Sequence, residues 1–156
     1  RDKYPIRNIG IFLGSRYQEI IYNIPIITQL LNNLEKLDNF NFYFFVTKEF
    51  EDLIKNSFIN EKYQFYLNNH EYYDHLSKLD FAFACSGTVH LELSFSHIPH
   101  FIFYKANWLN YLIFRIFVRS KYLSLVNIFN KRSSIKEFIQ SNFNHYLILK
   151  EFTRNN

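Results

Sequence analysis

The sequence predicts an α/β protein with a Rossmann-like, doubly wound parallel sheet. Short apolar runs alternate with segments of helical periodicity along almost the whole chain. Strands that are apolar throughout are typical of parallel sheets, because helices bury both faces of such sheets. The 156 residues suffice for one domain with its own core, and no repeat or low-complexity linker divides them. We therefore predict a single domain over residues 1–156.

Five strands are expected, each a short and mostly apolar run. They cover residues 8–13, 42–46, 63–67, 81–84 and 99–104. The first helix follows a loop at residues 14–16, with Pro25 in the first turn of its main part and apolar residues at helical spacing as far as Leu37. Further helices are predicted at residues 48–57, 70–79, 88–96, 108–119 and 133–140.

Composition argues against several classes of protein. The net charge of +4 favours an anionic partner, but no nucleic-acid-binding motif accompanies it, so nucleic acid is not an expected partner. The single cysteine, Cys85, excludes an internal disulfide, and the six histidines form no i, i+4 pair, so no metal site is predicted. Because the chain begins at Arg1 and contains no methionine, we expect it to be part of a larger protein.

A first candidate site follows the first predicted strand, since ligands of doubly wound sheets bind beyond the carboxyl ends of the strands. Gly14 allows a tight turn, Ser15 is placed to cap the next helix, and Arg16 offers paired donors for a pyrophosphate. Glu19 can hold the guanidinium group in place. The alternative is an ordinary strand-to-helix turn with a solvated arginine.

A second candidate site follows the fourth strand. Ser86, Gly87 and Thr88 open a helix there, and the free N–H groups of a helix N-terminus bind anions. Glu92 lies four residues after Thr88, so both side chains can face one pocket. Because the chain has only three glycines, we expect backbone geometry to require the two at these turns. The alternative is a capped helix with Glu92 exposed to water.

Three weaker features accompany these turns. Tyr104 and Lys105 close the fifth strand and place a cation at the same edge of the sheet. His90 lies inside the helix of the second candidate site and is expected on the helix surface. Residues 108–121 interleave aromatic and basic side chains, a mixture that suits a membrane interface, with core packing as the alternative. Their longest apolar stretch is far shorter than the ~20 residues that span a bilayer.

In series, these segments resemble the C-terminal half of lipid-A-disaccharide synthases, which are glycosyltransferases of the GT-B architecture. The family signatures GSRxxEI and SGTxxLE appear at residues 14–20 and 86–92. The tyrosine–basic pair after the next strand matches Tyr104 and Lys105. The YxSLPN segment matches residues 122–127, and a final ELLQ-like helix matches residues 137–140. The order and spacing of these motifs hold across residues 9–140.

The resemblance implies the donor-binding half of a two-domain enzyme. The family transfers 2,3-diacylglucosamine from its UDP conjugate to 2,3-diacylglucosamine 1-phosphate in lipid A biosynthesis. It uses no metal or other cofactor and works in the bacterial cytoplasm, peripheral to the inner membrane. The N-terminal acceptor domain, which carries the catalytic base, is absent from this sequence, so no catalytic residue is expected here. A separate N-terminal half would be the protein partner, and catalysis would need it.

The resemblance also implies roles for individual residues. Arg16 would neutralise the phosphate of the leaving group, the segment from Ser86 to Thr88 would bind phosphate, and Glu92 would hold the ribose hydroxyls. Asn127 belongs to the site through its place in the matching segment. The sequence departs from the family pattern at three positions, where two prolines and a glutamate are replaced by Leu13, Val126 and Ser133.

Two other interpretations stay open at this point. One is a different GT-B donor domain, such as that of a UDP-sugar epimerase or the peptidoglycan transferase, although residues 122–127 argue against both. The other is a non-catalytic remnant that binds a membrane or a protein through its aromatic and basic face. Weak or absent UDP binding together with association with liposomes would distinguish it.

Overall fold

The computed structural model of the protein describes residues 6–67, 71–105, 122, 124–131 and 133–155. Within these ranges, six strands form one sheet in the order β3-β2-β1-β4-β5-β6, and every neighbouring pair is parallel. The strands are β1 Asn8–Phe12, β2 Asn41–Val46, β3 Tyr63–Leu67, β4 Phe81–Cys85, β5 His100–Tyr104 and β6 Lys136–Ile139. The five predicted strands are therefore confirmed, and β6 is an addition.

The described helices are α1 Tyr17–Leu34, α2 Glu51–Ser57, α3 Tyr72–Leu76, α4 Val89–Phe95, α5 Leu125–Asn130 and α6 His145–Asn155. Short 3-10 turns at Lys48–Phe50 and Gln140–Asn142 precede α2 and α6. The helix predicted at residues 108–119 lies outside the described residues. Among the helices that the structure describes, none is both long and apolar enough to cross a membrane.

The apolar core lies on both faces of the sheet. Along β4, Phe81, Phe83 and Cys85 belong to a core that includes side chains of α1, α2 and α6. The intervening Ala82 and Ala84 belong to a second, smaller core with side chains of α3 and α4. Because successive residues of a strand point to opposite faces, helices cover both sides of the sheet. This arrangement confirms the predicted doubly wound α/β fold.

The helix predicted at residues 133–140 is wrong. Ile135, Phe138 and Ile139 have helical spacing, but residues 136–139 form β6 and pair with the open edge of β5. Phe138 is 3% exposed and its ring packs against that of Phe101, with centroids 5.5 Å apart. Short apolar runs are ambiguous between helix and strand, and here the free strand edge decides. The ELLQ-like match at residues 137–140 accordingly falls on a strand and a 3-10 turn.

The C-terminal helix α6 was not predicted from the sequence. Ile148 and Phe152 lie four residues apart on its buried face, and both are almost fully buried. The Phe152 ring contacts the rings of Phe81 and Phe83 at centroid distances of 5.1 and 5.6 Å. The helix therefore closes the larger core, and its apolar residues at i, i+4 spacing were the signal for it.

Pro25 lies in the interior of α1, not in its first turn as predicted, because the helix already begins at Tyr17. A proline there removes the hydrogen bond to the carbonyl of Ile21. Both residues are exposed, so water can hydrate that carbonyl and the helix continues to Leu34.

His90 and His100 are buried, and the prediction of a surface position for His90 is wrong. Their exposed fractions are 3% and 7%. Both ring nitrogens of His90 and Nε2 of His100 have no hydrogen-bond partner in the part of the chain that the structure describes. Burial lowers the pKa of both imidazoles below the ordinary value, because a charged ring would lose its hydration.

Acid should therefore destabilise the fold through these two histidines. In the unfolded chain both imidazoles gain a proton as pH falls through about 6.5, whereas the folded chain resists protonation, so stability decreases below that pH. We expect the Tm of the wild type to fall between pH 7.5 and pH 5.5, and that of the double variant His90→Gln, His100→Gln to fall less. The exposed His97, changed to Asn, is the control and should follow the wild type. Parallel pH profiles of wild type and double variant would contradict this assignment.

Candidate functional site

A cleft of about 320 Å³ opens at the carboxyl edge of the sheet, where β1 and β4 lie side by side. Strand order reverses at this point, and such a switch point is where doubly wound domains bind ligands. Both predicted turns border the cleft. Eight of the predicted site residues line it: Gly14, Ser15, Arg16, Glu19, Ser86, Gly87, Thr88 and Glu92.

The first turn joins β1 to α1 and depends on Gly14. Its φ of +107° lies in a region that L side chains rarely adopt, so a glycine is required. A Cβ at this position would lie 2.8 Å from Glu19 Oε2 and 3.3 Å from Cys85 Sγ. The expectation that geometry demands a glycine is confirmed at this turn. The close packing also holds the Glu19 carboxylate under the turn.

The start of α1 offers free donors to the cleft. Arg16 is its N-cap residue and no side chain caps the helix, so the predicted cap by Ser15 is wrong. The N–H groups of the first turn therefore have no acceptor within the helix. With the positive end of the helix dipole, they favour an anion at this position.

Arg16 is paired with Glu19, as predicted, through a contact of 3.3 Å between Nη1 and Oε1. The Arg16 side chain is 80% exposed, whereas that of Glu19 is 13% exposed. An exposed ion pair of this kind is weak, so the guanidinium can reorient toward an anion without a large loss. The ion pair thus keeps the guanidinium beside the cleft only weakly and engages one of its nitrogens.

The second turn, residues 86–88, joins β4 to α4. The Ser86 N–H donates to the carbonyl of Phe103 at 2.8 Å, which extends the sheet by one residue before the chain turns. Thr88 is the N-cap residue of α4 but makes no side-chain cap, so its hydroxyl is not used by the helix. Gly87 does not have a positive φ, and a Cβ there would meet nothing within 4 Å. The expectation that the fold requires this glycine is wrong.

An aromatic wall closes one side of the cleft, and sequence reasoning did not identify it. Phe12 and Phe45 stack with ring centroids 4.6 Å apart, and the Tyr72 ring meets Phe45 edge-on at 5.4 Å. The Tyr72 hydroxyl donates to Glu92 Oε2 at 2.9 Å. Burial, followed by this hydrogen bond, raises the pKa of Tyr72 well above its ordinary value. The cleft therefore combines polar turns with an apolar wall.

Two further residues support the turns from beneath. Asn23 is fully buried in α1, and its Nδ2 donates to the carbonyl of Leu13 at 2.8 Å, immediately before the glycine turn. Cys85 lines the base of the cleft, and burial, with the nearby Glu19 carboxylate, raises the pKa of its thiol to about 12. A polar residue on the buried stripe of α1 was the sequence signal for Asn23.

The three remaining predicted residues do not line the cleft. Asn127 is fully buried, and its amide donates to Ile135 O and Glu137 Oε1 and accepts the N–H groups of Ser134 and Ile135. These bonds use its donors and acceptor to shape the turn between α5 and β6.

Tyr104 ends β5, and Lys105 follows it at the same edge of the sheet. Burial and then the nearby Glu19 carboxylate raise the pKa of Tyr104 above its ordinary value. Among the described residues, no group of three or more His, Cys, Asp or Glu side chains is arranged to hold a metal ion.

Solved structures identify the class of this fold. The spinosyn rhamnosyltransferase SpnG in complex with thymidine diphosphate superposes with a TM-score of 0.65 at 10% identity, over 96% of this chain and 36% of SpnG. SpnG without that ligand gives a TM-score of 0.63 at 11% identity over the same shares. The chain has the fold of one half of a GT-B glycosyltransferase.

The family profile described as lipid-A-disaccharide synthetase matches residues 4–156. The chain therefore belongs to the lipid-A-disaccharide synthase family. The synthase of Rickettsia prowazekii (strain Madrid E) is 32% identical over 154 residues, which cover 96% of this chain and 40% of that protein. That of Rickettsia typhi (strain Wilmington) is 32% identical over 170 residues, covering 99% and 45%. The chain thus spans less than half the length of these curated relatives.

Alanine should destabilise the fold at position 10 but have little effect at position 87. In β1, a Cβ on Gly10 would lie 2.5 Å from Leu79 Cδ1 and 3.0 Å from Phe12 Cε2, so Gly10→Ala should lower the free energy of unfolding by about 1–3 kcal/mol. Gly87→Ala has open space around it and should stay within about 0.5 kcal/mol of the wild type. Urea denaturation of both variants measures the difference. Equal destabilisation would contradict the difference in packing around these two glycines.

Proposed function

We propose that this chain is the donor-binding domain of a lipid-A-disaccharide synthase and binds UDP-2,3-diacylglucosamine in the cleft between the two turns. The observation that carries the proposal is the convergence of both family signatures on one cleft. Residues 14–16 and 86–88 are separated by seventy positions in sequence, yet both border it. Membership of the family supplies the chemical identity of the expected donor.

The diphosphate fits between the starts of α1 and α4. Residues at the starts of both helices line this space, neither helix has a side-chain cap, and Arg16 brings a guanidinium beside it. Such donors stabilise the charge that develops on the UDP leaving group when the sugar–phosphate bond breaks. A Cβ added to Gly87 would meet no protein atom within 4 Å, so the space beside this residue is open to a ligand. The SpnG complex contains thymidine diphosphate, another nucleoside diphosphate.

Glycosyl transfer needs a second component. In the proposed reaction, the 6′ hydroxyl of 2,3-diacylglucosamine 1-phosphate attacks the anomeric carbon of the donor, the bond to UDP breaks, and a base accepts the hydroxyl proton. We assign that base to an N-terminal acceptor half, since the curated relatives are more than twice as long as this chain. The assembled enzyme would work in the bacterial cytoplasm at the inner surface of the membrane. This chain alone should bind donor but not turn it over.

Calorimetric titration with UDP tests the donor site. The wild type should bind UDP saturably, and Arg16→Ala should weaken binding roughly ten- to hundredfold, because charge-assisted hydrogen bonds to phosphate are lost. The affinity for uridine, which has no phosphate, should not change. The matched control is Arg7→Ala. Arg7 precedes β1 at the opposite edge of the sheet and pairs with Asp38 at 3.1 Å.

Two outcomes would overturn the proposal. One is the absence of UDP binding by a folded chain, which would favour the non-catalytic interpretation, in particular if the chain associates with liposomes. The other is an equal loss of UDP affinity in Arg16→Ala and Arg7→Ala. Such a result would show that Arg16 affects binding only through the net charge of the chain.

A further inference from the structure

Tyr72 belongs to the aromatic wall of the cleft and is held on two sides. The residue is 7% exposed, and its ring is held edge-on against Phe45. Its hydroxyl reaches Glu92 Oε2 at 2.9 Å, across a sequence separation of twenty residues. Ring packing on one side and a hydrogen bond on the other leave the phenol little freedom to move.

This contact gives the two oxygens of the Glu92 carboxylate different surroundings. Oε2 is occupied by Tyr72, whereas no hydrogen bond reaches Oε1 within the described part of the chain. Because Glu92 lines the cleft, Oε1 is available to a ligand. The phenol stays protonated at neutral pH, since burial raises its pKa, and so it remains a hydrogen-bond donor to the carboxylate.

We propose that Tyr72 is a positioning residue that orients Glu92 so that Oε1 accepts a hydrogen bond from the ribose of the bound nucleotide. The proposal rests on the proposed function and adds a source of specificity to it. An unrestrained glutamate near a helix N-terminus would turn toward water or the nearest N–H group. Held by Tyr72, it presents one fixed acceptor to the sugar, so the site should distinguish ribonucleotides from nucleotides that lack ribose hydroxyls.

The test compares UDP with 2′,3′-dideoxy-UDP on the wild type and on Tyr72→Phe. The wild type should bind UDP more tightly than the dideoxy nucleotide. Tyr72→Phe should weaken UDP binding roughly five- to tenfold, because an oriented acceptor for the ribose is lost, and should leave the dideoxy nucleotide within about twofold. A purely structural effect of the substitution would weaken both ligands together.

Tyr63→Phe is a matched control. Tyr63 begins β3, at the edge of the sheet away from the cleft, and its hydroxyl lies next to the carboxylate of Glu35. The substitution removes a similar tyrosine–glutamate contact without touching the cleft, so both affinities should stay at the wild-type level.

A double-mutant cycle with Glu92→Ala completes the test. If Tyr72 acts through Glu92, the double variant should bind UDP no more weakly than Glu92→Ala alone. Additive losses would overturn the positioning role, as would an unchanged UDP affinity in Tyr72→Phe. Absence of UDP binding by the wild type would instead refute the proposed function, and this inference with it.

Discussion

In the centre of the sheet, β1 pairs in parallel with β4, with Phe12 opposite Ala84 in the register. The whole cleft depends on this pairing. The chain leaves β1 toward the face covered by α1 and leaves β4 toward the face covered by α4. Two turns that start side by side are therefore drawn to opposite faces, and a crevice opens between them. Residues at the starts of both helices line that crevice.

The charges around the cleft are unevenly distributed. Among the described residues that line it, Arg16 provides the positive side chain, whereas Glu19 and Glu92 are acidic. A diphosphate bound as proposed would therefore be balanced by Arg16 together with backbone N–H groups at the helix starts. The two carboxylates have separate partners, Arg16 for Glu19 and Tyr72 for Glu92. These pairings hold each acidic group to one side of the space in which the phosphates would lie.

The sequence predicted those parts of the fold that depend on local patterns. Runs of apolar residues predicted the five strands. Gly14 predicted a tight turn, and its positive φ in the structure is one that requires glycine. What it could not predict depends on tertiary contacts. β6 forms because β5 has a free edge, and the contact between Tyr72 and Glu92 joins segments twenty residues apart. Asn127 lies in a family motif, yet its amide is used within its own turn.

Nucleotide binding at this cleft requires that both glycine-containing turns form one diphosphate site. The most direct measurement is an amide ¹H–¹⁵N correlation spectrum of the chain titrated with UDP. The amides of Ser15, Arg16, Gly87 and Thr88 should shift together and saturate at the same UDP concentration. Shifts at one turn only, or at the opposite edge of the sheet around His100 and Lys136, would contradict a shared site.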